Sequence, residues 1–144
     1  APGASAHAAK RHHGMRVHDY FAALERSVRE NVPAARLPRP VTSLASDEYN
    51  GLLRCRLVFW DESYLDVYEV VSTELGYPVR LRYAYTYVRG EQRVFRYDNA
   101  PHHPEILTHP HHKHIWPGDR LAPADPPSLR QVLQEIAGWL EATG

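Results

Sequence analysis

The chain has 144 residues, of which 43% are hydrophobic and 24% are charged, and its formal net charge is +0. This composition predicts one globular domain, and the zero net charge excludes an overall basic field of the kind that attracts nucleic acid. The single cysteine, Cys55, excludes an internal disulfide and fits a reducing cytoplasm, and no apolar run approaches the roughly 18 residues of a membrane span. We expect residues 1–14 to be a disordered or non-native extension and residues 15–144 to form a single α+β domain.

The hydrophobic pattern predicts one helix near each end of this domain. The first covers residues 17–31, and the second begins at Ser128, where Ser128 and Gln131 form a capping-box pattern. A Pro-rich connection and a short extended segment near residues 41–44 follow the first helix. The apolar residues of the first helix recur at helical spacing: Val17, Phe21, Leu24 and Val28.

Four strand-like runs lie between the helices, and short turns separate them. They cover residues 52–60, 64–73, 79–88 and 92–97. Short connections predict antiparallel hairpins, and a His-rich loop is expected to run from the last strand to about residue 127. The predicted fold is therefore an α+β two-layer sandwich, in which an antiparallel meander sheet carries an N-terminal and a C-terminal helix on one face.

Alternation along the strands assigns side chains to the two faces of the sheet. The residues expected to face the helices are Leu53, Leu57, Leu65, Val67, Val71 and Leu81, together with the small hydrophobe Cys55. Those expected to face away are Arg54, Arg56, Asp66, Tyr68, Arg80 and Arg82. Such a face can bind phosphate through arginine and bases through tyrosine, or it can be a solvated face with Arg–Asp pairs.

Polar groups interrupt the side of the sheet that is expected to face the helices. Alternation puts Glu69 on the same side of its strand as the apolar Val67 and Val71. A buried carboxylate there needs a partner such as Arg96 or a loop histidine, unless a bulge turns it outward. Tyr83, Tyr85 and Tyr87 share one face. They predict either a packed aromatic ladder with its hydroxyls at the rim or a cleft lined by one or two hydroxyls.

Six histidines fall within thirteen residues, at positions 102, 103, 109, 111, 112 and 114. Imidazole exchanges protons near neutral pH and binds metals, so this composition indicates a functional loop. Prolines favour extended backbone in the loop, and alternation then puts His109, His111 and Lys113 on one side and His112 and His114 on the other. We expect two or three of the six histidines to act together.

The segments 97–104 and 109–114, which read Tyr-Asp-Asn-Ala-Pro-His-His-Pro and His-Pro-His-His-Lys-His, resemble the TumE family of toxins. The likeness covers about residues 19–140, and the chain departs from the family pattern at Thr86 and His109. The resemblance implies a cytoplasmic toxin that acts on RNA or translation and is neutralised by a DNA-binding antitoxin. It points to these positions: Arg96, Tyr97, Asp98, Asn99, His102, His103, His111, His112, Lys113 and His114.

The first chemical hypothesis is metal-independent cleavage of RNA, which needs no cofactor. His102 or His103 would act with His112 or His114 as base and acid, and Asp98 would accept a hydrogen bond from the Nδ1–H of one of them. The wider set of candidate catalytic residues adds His111, Lys113 and Glu69. The candidate binding residues are Arg96, Tyr97, Asn99, Arg82 and Tyr85.

The second hypothesis is a metal-dependent hydrolase with zinc or another divalent ion. His109-x-His111 and His112-x-His114 each offer two imidazoles, and a third ligand would be His102, His103, Asp98 or Glu69. The third hypothesis is a non-catalytic module whose loop binds RNA or the antitoxin. The structural alternative is a rigid connector, whose histidines bond backbone carbonyls and stack on Trp116 or on tyrosines. Pairing of edge strands could also produce a homodimer.

Overall fold

The computed structural model describes residues 14–31 and 42–142. The predicted extension, apart from Gly14, and the Pro-rich connection lie outside the described residues. Neither helix in the described ranges is long and apolar enough to cross a membrane. The helices are α1 (Val17–Asn31) and α2 (Leu129–Ala142), and the strands are β1 (Thr42–Ala45), β2 (Asn50–Val58), β3 (Tyr64–Ser72), β4 (Val79–Arg89), β5 (Gln92–Asp98), β6 (His112–Ile115) and β7 (Arg120–Pro123).

The strands form one sheet in the order β1-β2-β3-β4-β5-β6-β7, and every neighbouring pair is antiparallel. This confirms the predicted α+β class and the meander. The capping box at the start of α2 is also present, since the amide of Gln131 donates to Ser128 Oγ at 3.1 Å and the amide of Ser128 donates to Gln131 Oε1 at 2.9 Å.

The expected loop up to residue 127 was wrong in its second half, because β6 and β7 form a hairpin there. Strand β6 pairs with β5, and β7 covers the other side of β6. Histidine, lysine and proline are weak strand formers, so local propensity gave no signal for these strands. Pairing with the edge of an existing sheet supplies the backbone hydrogen bonds instead.

Both helices share one hydrophobic core with one side of the sheet, which we call the inner face. Val17, Phe21 and Val28 of α1 and Val132 and Ile136 of α2 belong to this core. The sheet residues in it include Leu53, Leu57, Leu65, Val67, Val71, Tyr83, Tyr85 and Tyr87. The packing of the three tyrosines is confirmed, but the hydroxyls of Tyr85 and Tyr87 bond the buried Glu69 and Ser63 and do not reach the rim. These shared contacts support the two-layer sandwich, which stays a prediction. We call the opposite side of the sheet the outer face.

Two of the face assignments were wrong, and one irregularity in the sheet explains both. Leu81 is 53% exposed, whereas Arg80 donates to the Tyr85 hydroxyl at 2.8 Å on the inner face. Val70 pairs with Arg82 but Val71 pairs with Arg80, so Leu81 is an extra residue in a β-bulge. The bulge reverses the alternation for the first residues of β4.

Glycine is required where α1 crosses β2. A Cβ atom built on Gly51 would lie 2.9 Å from Cε2 of Phe21 and 3.1 Å from the Leu44 carbonyl oxygen. The missing side chain therefore lets α1 approach the sheet closely.

We expect Gly51→Ala to lower the free energy of unfolding by about 1–3 kcal/mol, because the added methyl group overpacks this contact. Gly138→Ala is the matched control. A Cβ at Gly138 in α2 meets nothing within 4 Å, so this substitution should raise the free energy of unfolding by roughly 0.5–1 kcal/mol. Urea denaturation measures both variants, and equal effects would contradict the close approach at Gly51.

Candidate functional site

Four candidate residues meet on the outer face where β5 lies beside β6. Asp98 pairs directly with His112, and Arg96 pairs with His114. Because side chains alternate along a strand, these four residues share the outer face, whereas Tyr97 and Lys113 between them point to the inner face. The i, i+2 spacing of His112 and His114 thus puts both imidazoles beside Asp98.

The polar atoms of this group converge closely. His112 Nε2 lies 3.0 Å from Asp98 Oδ1 and 3.2 Å from His114 Nε2. His114 Nε2 lies 3.5 Å from Asp98 Oδ2. Asp98 also accepts hydrogen bonds from the Ala100 amide at 2.9 Å and from Arg96 Nε at 3.0 Å. The expectation that Asp98 binds a histidine Nδ1–H was wrong, since its histidine partners present Nε2.

The other ring nitrogens are held by neighbours of β6. His112 Nδ1 lies 2.9 Å from the Pro110 carbonyl oxygen, and His114 Nδ1 lies 2.7 Å from Asp119 Oδ1 in the turn between β6 and β7. The His114 ring also stacks on Trp116, with centroids 5.6 Å apart and an interplanar angle of 14°. These contacts fix the orientation of both rings.

His103 completes the group from the loop between β5 and β6. Its ring centroid lies 5.1 Å from that of His112 and 5.8 Å from that of His114. The ligand atoms of the three histidines all lie within 4.8 Å of one another. We call Asp98, His103, His112 and His114 the histidine cluster.

The histidine cluster is closed on one side and open on the other. The side chains of His112 and Asp98 are only 2% and 5% exposed, whereas those of His114 and His103 are 16% and 29% exposed. A small molecule or a phosphodiester group would therefore reach His103 and His114 first.

The remaining loop histidines lie outside the cluster. His111 points to the inner side, where its ring stacks on Tyr83 and its Nδ1 lies 2.8 Å from the Tyr83 hydroxyl. Burial and the charge of Arg80 lower the pKa of His111. His102 is exposed, and the exposed His109 has its Nδ1 3.1 Å from the His103 carbonyl oxygen. Neither His109 nor His111 belongs to the histidine cluster, so a metal site made from this pair stays a prediction.

Lys113 and Tyr97 bind the C-terminal helix. Lys113 Nζ lies 2.9 Å from Glu135 Oε2, and the Tyr97 hydroxyl donates to Glu135 Oε1 at 2.6 Å. Burial opposes the charge of Lys113, but its hydrogen bonds to Glu135 and Tyr97 raise its pKa. These two candidates connect the sheet to α2 on the face opposite the histidine cluster.

Asn99 supports the bulged start of β4. Its Oδ1 accepts from the Tyr83 amide at 2.9 Å, and its Nδ2 donates to the Leu81 carbonyl at 3.1 Å. Its side chain thus takes the place of a neighbouring strand at the bulge. This contact fixes the point at which the chain leaves β5 for the His-rich loop.

Glu69 and Tyr85 form a second polar group, on the inner face. Glu69 is 1% exposed and accepts hydrogen bonds from the hydroxyls of Tyr20 and Tyr85. It lines a cavity of about 630 Å³ that also contacts Arg80 and both helices. Burial and the nearby Glu69 raise the pKa values of both tyrosines. The prediction that Glu69 faces the helices is confirmed, but the expected partners, Arg96 or a loop histidine, were wrong.

Cys55 is packed against the core as a small hydrophobe. Burial raises the pKa of its thiol to about 12. A thiol with such a pKa is a poor nucleophile at neutral pH.

Residues 34–143 match the model of the family described as Toxin TumE. The chain belongs to the TumE toxin family. No curated protein and no solved structure matches the chain. Membership implies a toxin of a toxin–antitoxin pair, with an antitoxin as its partner.

Sequence reasoning anticipated stacking of a loop histidine on Trp116, but it missed the acidic residues around this site of the TumE chain. Asp119 and Trp116 contact His114, and Glu105 Oε1 lies 3.4 Å from His103 Nδ1. Glu135 is the partner of Lys113. The first three lie beside the histidines in sequence, but only the β6–β7 hairpin brings Asp119 back to His114.

We expect Glu69→Gln to lower the free energy of unfolding by about 1.5–3 kcal/mol, because the tyrosine hydroxyls lose a charged acceptor. Toxicity per folded molecule should stay unchanged, since Glu69 faces away from the histidine cluster. Denaturation curves and growth arrest normalised to soluble protein measure the two effects. Tyr20→Phe removes only one of the hydrogen bonds and should cost less. Loss of toxicity at unchanged stability would instead make Glu69 catalytic.

Proposed function

We propose that this TumE toxin cleaves RNA, with the outer face binding the strand and the histidine cluster as the catalytic centre. The observation that carries the proposal is the alignment of outer-face side chains with the cluster. Neighbouring strands align their outer-face side chains in rows that run across the sheet. These rows have arginine and tyrosine on β2 and β3 and reach the histidine cluster on β5 and β6.

The rows follow from the strand register. One row contains Arg54, Tyr68, Ala84, Asp98 and His112, and the next contains Arg56, Asp66, Thr86, Arg96 and His114. Neighbouring strands lie about 4.8 Å apart, so each row spans roughly 19 Å. That length accommodates a few nucleotides of single-stranded RNA.

On β2 and β3, the rows begin with groups that can bind single-stranded RNA without reading its sequence. The guanidinium of Arg54 lies 4.7 Å from the centroid of the Tyr68 ring, and that of Arg56 lies 3.9 Å from the centroid of Tyr64. Bases stack on such rings, and arginine binds phosphate. Arg56 also pairs with Asp66 at 2.7 Å. Exposed pairs contribute at most about 1 kcal/mol, so a phosphate can compete for Arg56.

On β5 and β6, where the rows reach the histidine cluster, the groups are suited to phosphodiester cleavage. The 2′-hydroxyl must lose a proton as its oxygen attacks phosphorus, and the leaving 5′-oxygen must gain one. His103 and His114 are the cluster members that the phosphate reaches, and Arg96, whose side chain is 40% exposed, lies beside them to stabilise negative charge. The sequence left open whether histidines or a bound divalent ion promote this step, and both use the histidine cluster.

The proposed site also suggests how the antitoxin acts. Neutralisation requires only that the antitoxin, a DNA-binding protein on the family resemblance, cover the outer face or the open side of the cluster. The proposed RNA substrate would be met in the cytoplasm. Strands β1 and β7 are the outermost strands of the described sheet, and a homodimer through either one stays a prediction.

We expect the double variant Arg54→Gln, Arg56→Gln to bind single-stranded RNA more weakly. Losing two phosphate contacts should reduce the slope of log affinity against log salt concentration by about 1.4. Fluorescence anisotropy at several salt concentrations measures the slope. The charge-matched control is Arg26→Gln, Arg29→Gln on α1, which should leave it unchanged. Equal effects of the two double variants would show that RNA does not bind the outer face.

We expect His114→Ala to reduce cleavage of RNA by about 100-fold or more, because it removes a reachable group of the cluster. His109→Ala, in the same loop but outside the cluster, should cleave at the wild-type rate. Gel analysis of total and defined RNA measures cleavage, and circular dichroism checks the fold. Absence of cleavage by the wild type on total cellular RNA, or wild-type rates in His114→Ala, would overturn the proposed function.

A further inference from the structure

The hydrogen bonds around the histidine cluster fix which ring nitrogens hold protons. A carbonyl oxygen only accepts, so the contact at 2.9 Å between His112 Nδ1 and the Pro110 carbonyl needs a proton on Nδ1. The carboxylate of Asp119 requires the same of His114 Nδ1, at 2.7 Å. In neutral imidazoles the Nε2 atoms of both rings then carry lone pairs.

These lone pairs point at one another and at a carboxylate. The two Nε2 atoms are 3.2 Å apart, and the Asp98 oxygens lie 3.0 Å and 3.5 Å from them. Three acceptors at such distances repel unless a positive species lies between them. Two nitrogens bound to one tetrahedral zinc ion at about 2.0–2.1 Å are roughly 3.3–3.4 Å apart, which is close to the spacing of the two rings.

We infer that His103, His112 and His114, with the Asp98 carboxylate, bind a divalent transition-metal ion of the zinc class. Imidazole nitrogen and carboxylate oxygen are the ligands of such ions, whereas calcium and magnesium prefer sites made of oxygen. The ligand atoms of the three histidines already lie within 4.8 Å of one another, so a small movement of the loop residue His103 closes the site.

The surroundings of the cluster resemble the support that metal sites need. Metal-binding histidines usually donate their second N–H to a carbonyl or a carboxylate, as His112 does to Pro110 and His114 does to Asp119. The open side, at His103 and His114, leaves access for water or substrate. The ion would lie beside His112 and His114 in the outer-face rows, where it could act as a Lewis acid on a bound phosphodiester group.

The inference concerns the same residues as the proposed function, but it does not need RNA for its test. Full-length protein freed of metal with a chelator is titrated with Zn²⁺ by calorimetry and with Co²⁺ by visible absorption. We expect one tight site per chain and the absorption bands of tetrahedral or five-coordinate Co²⁺. His114→Ala should weaken the affinity by at least about 100-fold, and Asp119→Ala, which removes only the supporting carboxylate, by about 10- to 100-fold.

The matched controls are His102→Ala and His109→Ala, which change histidines of the same loop outside the cluster and should bind metal as the wild type does. A triple variant at His7, His12 and His13 should also keep the tight site. Absence of a stoichiometric site, or a site lost in the triple variant but kept in His114→Ala, would overturn the inference. Circular dichroism checks that each variant is folded. The test uses His114→Ala and not a variant of His112, because His112 is only 2% exposed and its replacement could unfold the chain.

The two proposals fail separately. Tight binding that depends on His114 in a protein that cleaves no RNA would leave the metal site and reject the proposed function. RNA cleavage that survives the chelator, in a protein without a stoichiometric metal site, would reject the metal and leave a cleavage reaction carried by histidines alone.

Discussion

The pairing of β5 with β6 is the contact on which the candidate site depends. It puts His112 opposite Asp98 and His114 opposite Arg96. A shift of one residue in this register would turn Lys113 toward Asp98 and turn both histidines to the inner face. Lys113 resists that shift, because its bond to Glu135 on α2 holds the inward side chain of the same strand. A salt bridge on one face thus helps to fix a histidine cluster on the other.

The sheet lies between two polar groups, Glu69 with its tyrosines and the histidine cluster. From the sequence alone, Glu69 was expected to pair with a loop histidine. Glu69, Tyr20 and Tyr85 satisfy one another beneath the helices. The histidine cluster lies on the outer face, where the loop from β5 to β6 covers His112 and Asp98 but leaves His103 and His114 accessible. The two buried carboxylates thus have different surroundings. Glu69 accepts hydrogen bonds from hydroxyls, whereas Asp98 accepts from an amide and a guanidinium and lies beside the Nε2 atoms of the cluster.

Prediction from the sequence succeeded where side chains repeat with a clear period. Helix α1 begins and ends at the expected residues, and β2 to β5 lie within a few residues of the expected runs. It failed at the bulge in β4, since one extra residue exposes Leu81 and turns the half-buried Arg80 to the inner face without any change in local composition. It also failed at β6 and β7, whose residues become strands only because β5 offers an edge. Of the histidines, His112 and His114 were placed correctly on one side of the chain, but nothing in sequence distinguished His103 from His102.

The sequence by itself determined the α+β class, the meander, the family and the chemical character of the loop, because all of these follow from local periodicity and from a motif of contiguous residues. Only the tertiary structure decided which histidines converge, which carboxylate they meet and which tyrosines surround Glu69. Those contacts depend on strand register and on a bulge. Both are set by packing between residues far apart in the chain, so no local pattern encodes them.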